Sequence, residues 1–220
     1  MVRRDKAGNP FDAWKVAVYN VMRYGKDVVD ERGQKTKEVL DLVMEIADPT
    51  LVVNEHDYWK GAKLEAYIEE VLSAKDKGFV YDYGNRLRGH FTNDDGKPID
   101  QIMDLVVPRL RNNRNSRRAT AITYDMPLDM NREEIPCLLL LDFKIRGNYL
   151  HTSAYWRSND MYGAYYPNIR AVGRISELVA EQLGVWTGPL TTHAASAHIY
   201  YTDIEPASDV ARRGNPTYMK

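Results

Sequence analysis

The chain has 220 residues, of which 44% are hydrophobic and 28% are charged, a composition typical of a folded globular protein and unlike that of disordered or fibrous chains. Its 30 basic and 31 acidic residues give a formal net charge of -1, which excludes a global field that would attract nucleic acid or an anionic membrane. The single cysteine excludes an intrachain disulfide and a multi-thiolate metal site.

The chain carries no pattern expected of a membrane or exported protein. Its longest apolar run, Cys137 to Leu141, is too short to cross a bilayer, and no apolar signal segment follows Met1 to Asp5. We therefore expect a cytoplasmic protein. Because no internal repeat or low-complexity linker divides the sequence, we expect residues 1–220 to form a single domain.

The first third of the chain predicts helices. Apolar residues between Trp14 and Met22 recur at helical spacing, a charged turn follows at 30–33, and residues 60–72 carry a second amphipathic pattern. From Phe79 the pattern changes to short segments separated by turn residues, with a hairpin-like stretch at 92–98 and a helix over 99–110.

The second half of the chain predicts a sheet with one long helix. Strands are expected at 119–123, 137–145 and 149–156, the last two joined as an antiparallel hairpin by residues 146–148. A helix over 169–183, a strand over 194–201 and a polar tail follow. The expected fold is α+β, with a bent antiparallel or mixed sheet that carries the site on one side and helices packed on the other.

Cys137 begins an apolar strand directly after Pro136, where a thiol can lie at the rim of a site. The predicted hairpin returns Arg157 towards Cys137, where a guanidinium would favour the nucleophilic thiolate. Two structural explanations stay open on these residues alone. A free cysteine usually packs as a small hydrophobic residue, and Arg157 can be solvated or paired with Asp160 at a strand end.

Two further groups of polar residues are candidates for ligand binding. Arginines are concentrated between residues 109 and 118, and guanidinium groups there suit a phosphate monoester or a nucleic-acid backbone, although a charged run is most often a solvated face. His198 and Tyr200 alternate onto one face of a strand, where they can bind a sugar hydroxyl or form a structurally satisfied pair.

Taken together, seven segments between residues 79 and 201 resemble the thymidylate synthase and pyrimidine-nucleotide hydroxymethylase family in order and spacing. The resemblance is closest to the short archaeal-type members, because the chain is short between the predicted helix at 60–72 and Phe79. The segments are Tyr83 to Arg88, Gly96 to Ile102, Asn115 to Arg118, Ile135 to Cys137, Arg157 to Asp160, Tyr166 to Asn168 and Ala197 to Tyr200.

The resemblance implies covalent catalysis on a pyrimidine nucleotide. Cys137 occupies the position of the thiolate that adds to C6 of the base. Arg157 would bind the nucleotide phosphate and keep the thiol ionised, with Ser158 as a further donor. Tyr83 matches the tyrosine that assists proton removal at C5, and Glu70 matches a helical glutamate that orients water, unless it is an ordinary solvent-facing residue.

Other matched positions imply a phosphate site shared between two subunits. Arg117 and Arg118 correspond to the arginine pair that the family supplies to the phosphate across the interface of a homodimer. Arg32 corresponds to a mobile arginine that contacts the same phosphate.

The remaining matched residues imply recognition of the base, the sugar and the carbon donor. Asn168 corresponds to the amide that reads uracil, and because relatives acting on cytosine carry a carboxylate there, dUMP is expected rather than dCMP. His198 and Tyr200 would hold the 3′-hydroxyl of the sugar, and Asp160 would bind the pterin.

The family resemblance therefore implies a methyltransferase that converts dUMP to dTMP with methylene-tetrahydrofolate or methylene-tetrahydromethanopterin as carbon donor, without a metal or nucleic acid. The sequence departs from the family pattern at Leu138, Trp156 and Ser196. Hydroxymethylation of dUMP or dCMP is the alternative within the family, because water can intercept the same intermediate. Outside it, the alternative is a nucleotide-binding or nucleic-acid-binding protein without turnover.

Overall fold

The computed structural model describes residues 2–53 and 56–214, which form a seven-stranded mixed sheet and seven α-helices. The strands are β1 (Arg3–Ala7), β2 (Lys26–Val29), β3 (Lys35–Ile46), β4 (Thr120–Ile122), β5 (Leu138–Arg146), β6 (Tyr149–Asp160) and β7 (Trp186–Tyr200). The helices are α1 (Pro10–Tyr24), α2 (Gly61–Leu72), α3 (Tyr83–Arg88), α4 (Val107–Asn112), α5 (Met126–Asp129), α6 (Tyr165–Leu183) and α7 (Ile204–Arg213).

The sheet is open, and its strands lie in the order β1-β3-β7-β6-β5-β4, with β2 paired to β3 beside β1. Helix α6 connects β6 to the parallel strand β7, whereas β5 and β6 form an antiparallel hairpin closed at Gly147. Gly147 has a φ of 58°, a conformation that glycine adopts without a steric penalty. This order brings the carboxyl ends of β6 and β7 to the same end of the sheet as the amino ends of β3 and β5.

The helices pack on one side of the sheet around one hydrophobic core. Helix α6 is the most deeply buried helix, and its packing residues include Ile169, Val172 and Val179. Helix α1 contributes Trp14, Val18 and further apolar residues from the neighbouring side. No helix within the described part of the chain combines the length and the apolar character needed to cross a bilayer. The α+β fold with a mixed sheet and helices on one side agrees with the fold expected from the sequence.

The elements predicted from Phe79 onward are confirmed, with changed boundaries. The predicted helix over 99–110 is one turn of π-helix, Gln101–Val106, followed by α4. Asp100 caps the π-helical turn, because its side chain accepts from the amides of Ile102 and Met103. The final strand begins at Trp186 rather than at residue 194.

Two expectations about the chain termini are wrong. The first third is not only helical, because β1, β2 and β3 form one edge of the sheet. The segment predicted as a polar tail contains α7, whose Ala207 and Val210 are buried against α1. Strand β1 is a charged run without alternation of apolar and polar residues, whereas Ile204, Ala207 and Val210 recur at a helical spacing that the interpretation as a tail overlooked.

Helix α3, which carries Tyr83, is anchored by a buried ion pair. Arg86 Nη2 and Nη1 donate to the two carboxylate oxygens of Asp129 at 2.7 and 3.0 Å, and both side chains are almost fully buried. Arg86 also donates to the Thr123 carbonyl, and the Asp125 amide donates to Asp129. Burial by itself would raise the pKa of Asp129, but Arg86 and the Asp125 amide outweigh burial, so this pKa lies below its ordinary value.

The substitution Arg86→Leu is expected to lower the free energy of unfolding by about 3–5 kcal/mol, because it leaves a buried carboxylate without its partner. Urea denaturation at neutral pH measures the change. As a control, Arg212→Leu removes one partner of the exposed Arg212–Asp209 pair and should change stability by less than about 0.5 kcal/mol. Because folding lowers the pKa of Asp129, the ionised carboxylate stabilises the folded protein fully above about pH 4. This contribution is lost as the pH falls through the lower pKa that Asp129 has in the folded protein. Equal stability of the two variants at neutral pH would contradict this role.

Candidate active site

A cavity of about 830 Å³ opens at the end of the sheet where β6 and β7 finish. Its walls come from this end of the sheet, from α2, from the start of α6, from the segment before α3 and from the turn between β2 and β3. Ten of the residues singled out from the sequence line this one cavity: Arg32, Glu70, Tyr83, Cys137, Arg157, Ser158, Asp160, Asn168, His198 and Tyr200.

Cys137 lies half-buried in the cavity wall, directly before β5. The predicted hairpin is present, and the Arg157 amide donates to the Cys137 carbonyl at 2.9 Å. The Arg157 side chain donates through Nε to the Pro136 carbonyl at 3.0 Å and through Nη2 to the Ile135 carbonyl at 2.8 Å. Arg157 therefore fixes the backbone that precedes the thiol and does not pair with Asp160.

Three tyrosines surround the thiol side of the cavity. The Tyr81 hydroxyl lies 3.8 Å from Cys137 Sγ, and the Tyr83 hydroxyl accepts from the Leu138 amide at 3.2 Å. Burial raises the pKa of Tyr67 and Tyr81 and raises that of Tyr83 well above its ordinary value. All three phenols therefore stay protonated near neutral pH, and Tyr67 and Tyr81 donate hydrogen bonds to Asn168 and Cys137.

Asn168, near the start of α6, has its side-chain amide oriented by two neighbours. Tyr67 donates its hydroxyl hydrogen to Asn168 Oδ1 at 2.5 Å, and Asn168 Nδ2 donates to Asn159 Oδ1 at 3.2 Å. The amide is almost fully buried. Nδ2 of Asn168 can donate one further hydrogen bond, and Oδ1 can accept one further hydrogen bond.

Asp160 ends β6 in a tightly bonded turn. Its Oδ1 accepts from the amides of Tyr162 and Gly163 at 3.0 and 3.1 Å. The indoles of Trp14 and Trp59 hold this turn by donating to the carbonyls of Tyr162 and Gly163. Burial raises the pKa of Asp160, although the bonded amides and His198 oppose the rise.

His198 and Tyr200 project from β7 into the same cavity. Ser158 Oγ lies 3.3 Å from His198 Nδ1, and the His198 and Tyr200 rings meet edge to face at 5.1 Å. Burial lowers the pKa of His198 although Asp160 opposes the change, so the imidazole is neutral near pH 7. A neutral imidazole beside a phenol offers both a donor and an acceptor to a hydroxyl group.

Two charged residues at the mouth of the cavity are paired with partners outside the ligand space. Arg32, in the turn between β2 and β3, forms a 2.8 Å ion pair with Glu134, and both side chains are about half exposed. Glu70 forms a 3.2 Å ion pair with Lys77. Ion pairs this exposed contribute little free energy, so a ligand can displace either partner.

Arg117 and Arg118 do not line the cavity that contains Cys137. Together with Arg109 they border a separate surface depression of about 490 Å³, and Arg109 donates to the Arg118 carbonyl. Thr120 pairs with Asp142, so the two arginines lie towards the end of β5 that is far from Cys137. The extended chain from Cys137 to Asp142 spans roughly 17 Å.

Several lining residues were not singled out as candidates from the sequence, among them Tyr67, Tyr81, Glu38 and Asn159. Glu38 on β3 lies opposite His198 and accepts from Ser196 Oγ at 2.5 Å. It therefore brings a carboxylate to position 196, where the family pattern has an aspartate and this chain has serine. Asn159 stands within the matched segment Arg157 to Asp160, and Tyr81 stands in the aromatic sequence Tyr81-Asp82-Tyr83. Tyr67 and Glu38 reach the cavity only through helix packing and strand pairing.

The comparisons with known proteins agree on one family. The family model described as thymidylate synthase matches residues 49–219. A protein of Methanothermobacter thermautotrophicus named "Putative thymidylate synthase" is 42% identical over 217 residues, which cover 91% of this chain and 95% of the relative. Proteins of the same name from Methanothermobacter marburgensis and Methanocaldococcus jannaschii are 40% and 34% identical, over 92% and 86% of this chain and 95% and 86% of the relatives.

Proposed function

This chain belongs to the thymidylate synthase family, and we propose that it methylates C5 of dUMP to form dTMP through a covalent bond between Cys137 and C6. The observation that carries the proposal is the position of Cys137 in a cavity that also contains Arg157, Asn168 and His198. A thiol, a cation, an amide and an imidazole are the groups needed for attack on the base and for binding of phosphate, uracil and deoxyribose.

Addition begins when the Cys137 thiolate forms the S–C6 bond and the C5–C6 electron pair moves onto C5 and O4. C5 then becomes a carbon nucleophile. After C5 has bonded to the incoming carbon, its proton must leave, and the Tyr83 hydroxyl and a water held by Glu70 are the groups proposed to carry it. Expulsion of Cys137 breaks the S–C6 bond and returns the electron pair to sulfur.

The nucleotide phosphate is proposed to bind at the Arg157 end of the cavity. Nε and Nη2 of Arg157 donate to backbone carbonyls. Nη1 of Arg157 and the Ser158 hydroxyl can therefore donate to the phosphate. Arg32 would exchange its exposed partner Glu134 for the same phosphate. At the other end of the nucleotide, His198 and Tyr200 would bind the 3′-hydroxyl.

A reduced pterin is proposed as the carbon donor, and the lining residues fit such a group. Asp160 is a partly buried carboxylate with Oδ1 bonded to backbone amides, which leaves Oδ2 as an acceptor for ring N–H groups. When bound, the pterin supplies the methylene carbon and the hydride that reduces it. Both methylene-tetrahydrofolate and methylene-tetrahydromethanopterin carry this chemistry.

Release of tritium from 5-tritiated dUMP tests the proposal, with and without each of the two pterins. Donor-stimulated release supports attack at C6 and identifies the donor. The product mass then distinguishes a methyl from a hydroxymethyl group, the outcome expected if water reached the intermediate. Absence of release with both donors, from folded protein that binds dUMP, would overturn the proposal and favour a nucleotide-binding protein without turnover.

Asn168→Asp is expected to shift the base preference from uracil towards cytosine. A carboxylate cannot donate to O4 of uracil, and an unsatisfied buried group of this kind costs about 1–3 kcal/mol, so kcat/KM for dUMP should fall roughly 10- to 100-fold. The same carboxylate accepts from the amino group of cytosine, and Tyr67 can still donate to it.

The preference is measured by tritium release from 5-tritiated dUMP and dCMP in parallel. Asn168→Ala serves as the matched control, because it removes both the donor and the acceptor and should lose dUMP turnover without gaining dCMP turnover. An Asn168→Asp enzyme with the wild-type ratio of the two rates would show that Asn168 does not read the base.

A further inference from the structure

Tyr81 places a phenol hydroxyl beside the sulfur of Cys137. The distance from the Tyr81 hydroxyl oxygen to Cys137 Sγ is 3.8 Å, within hydrogen-bonding reach of the large sulfur atom. The segment before α3 is held against the rest of the site, because Arg132 donates to the Val80 carbonyl at 2.8 Å. The Tyr81 ring packs on the Tyr83 ring with 5.5 Å between centroids. These contacts fix the hydroxyl near the thiol.

The guanidinium of Arg157 is engaged elsewhere. Two of its nitrogens donate to the carbonyls of Ile135 and Pro136, which orients the backbone of the cysteine rather than its sulfur. A thiolate in a partly buried wall needs a donor of its own, because a charge removed from water is costly without a hydrogen bond. Among the described residues, Tyr81 is the side chain that donates a hydrogen bond to this sulfur.

We propose that Tyr81 is a catalytic residue that donates a hydrogen bond to the Cys137 thiolate, keeps the thiolate ionised and directs it at C6 of the pyrimidine. The inference rests on the proposed function for the identity of the base, but the hydrogen bond itself concerns the free protein. Burial and the neighbouring Cys137 raise the pKa of Tyr81, so the phenol keeps its proton and remains a donor while the thiol ionises.

The hydrogen bond affects both ends of the reaction. It lowers the intrinsic nucleophilicity of the thiolate, but it increases the fraction of thiolate present near neutral pH. When the S–C6 bond breaks, the electron pair returns to sulfur, and a donor at that atom makes sulfur a better leaving group. Once the thioether has formed, its sulfur is only a weak acceptor. The hydrogen bond from Tyr81 therefore stabilises the free thiolate, both before the S–C6 bond forms and after it breaks.

Alkylation by iodoacetamide measures the proposed hydrogen bond directly, because Cys137 is the only cysteine in the chain. Near pH 7, loss of the hydrogen bond in Tyr81→Phe should leave about tenfold less thiolate than in the wild type. Each remaining thiolate is more nucleophilic, so the alkylation rate should fall only about threefold. At high pH, where the Cys137 thiol is fully ionised in both proteins, the variant should react faster than the wild type. The two rate–pH profiles therefore cross, which a loss of packing alone would not produce.

Tyr67→Phe is the matched control, because it also removes a buried hydroxyl from this cavity but one that bonds Asn168 instead of sulfur. Its alkylation profile should follow that of the wild type. Profiles of Tyr81→Phe that also coincide with the wild type would overturn the inference. Tyr81→Leu gives the same readout if the phenylalanine variant does not fold.

The alkylation assay requires neither dUMP nor a pterin, so it fails independently of the proposed function. Crossing profiles together with absent tritium release from the wild type would support the hydrogen bond and reject the methylation chemistry. Coincident profiles together with donor-stimulated release would support the methylation chemistry and reject the role of Tyr81.

Discussion

Cys137→Ala is expected to reduce tritium release from 5-tritiated dUMP by about 10⁴-fold or more, because an activated nucleophile and the groups around it act as one unit. Without the sulfur no bond to C6 forms, and C5 does not become nucleophilic. The half-buried side chain loses only one atom, so the fold should persist. Binding of dUMP, measured by calorimetry, should therefore remain close to that of the wild type.

Cys137→Ser is the matched control for this prediction. The serine hydroxyl preserves size and hydrogen bonding but is almost un-ionised near neutral pH, so activity should stay close to that of the alanine variant. Mass spectrometry of the wild type with dUMP and donor should detect a covalent adduct that both variants lack. Substantial tritium release by Cys137→Ala would show that the sulfur is not the nucleophile.

Mixing the inactive variant Cys137→Ala with the weakened variant Arg118→Ala is expected to raise activity above that of either variant alone. The two arginines at 117 and 118 lie outside the cavity of their own chain, roughly 17 Å or more along the sheet from Cys137. We propose that a symmetric dimer brings them to the phosphate site of the partner subunit. Loss of one charge-assisted contact should lower kcat/KM of Arg118→Ala by about 10- to 100-fold.

In a mixed dimer one site then combines an intact Cys137 with an intact Arg118 from the other chain. Random reassociation makes half of the dimers mixed with one competent site in each, so about a quarter of the wild-type activity is expected. The dUMP turnover of the mixture is followed after subunit exchange, which native mass spectrometry verifies.

Two controls test where the arginines act. A chain carrying both substitutions should give no rescue when mixed with Arg118→Ala, because neither chain then supplies Arg118 to the intact Cys137. Arg114, in the same loop, donates to the Gly147 carbonyl and to Asn148 in its own chain. The variant Arg114→Ala should therefore remain active. Exchange without recovery of turnover would show that Arg118 does not complete the partner's site.

Much of the candidate site could be predicted because its residues follow one another at fixed spacings. The hairpin of β5 and β6 is encoded by alternating apolar residues on both sides of Gly147, and this hairpin returns Arg157 to Cys137. The parallel connection through α6 then places His198 beside Asp160. Local sequence patterns, together with the right-handed connection from β6 through α6 to β7, are sufficient to predict this part of the cavity.

The other wall of the cavity has little local signal in the sequence. Strand β3 changes its buried face near Asp41, where φ is 55°, so Val39 and Leu42 are both buried and the period of two is broken. The edge strand β1 is mostly charged, as edge strands commonly are, and it therefore resembles a surface segment. Arg32 was expected from the family resemblance, whereas the fold alone brings Glu38 to the cavity that contains Cys137.

The sequence by itself determined the family and indicated the proposed nucleophile and most of the polar residues around it, because these depend on residue identity and short-range order. The tertiary structure alone decided three matters: that Arg157 bonds the backbone before Cys137, that Tyr81 is the neighbour of the sulfur, and that Arg118 lies outside its own cavity. Contacts between segments far apart in the chain are set by helix packing and strand register, which no local pattern encodes.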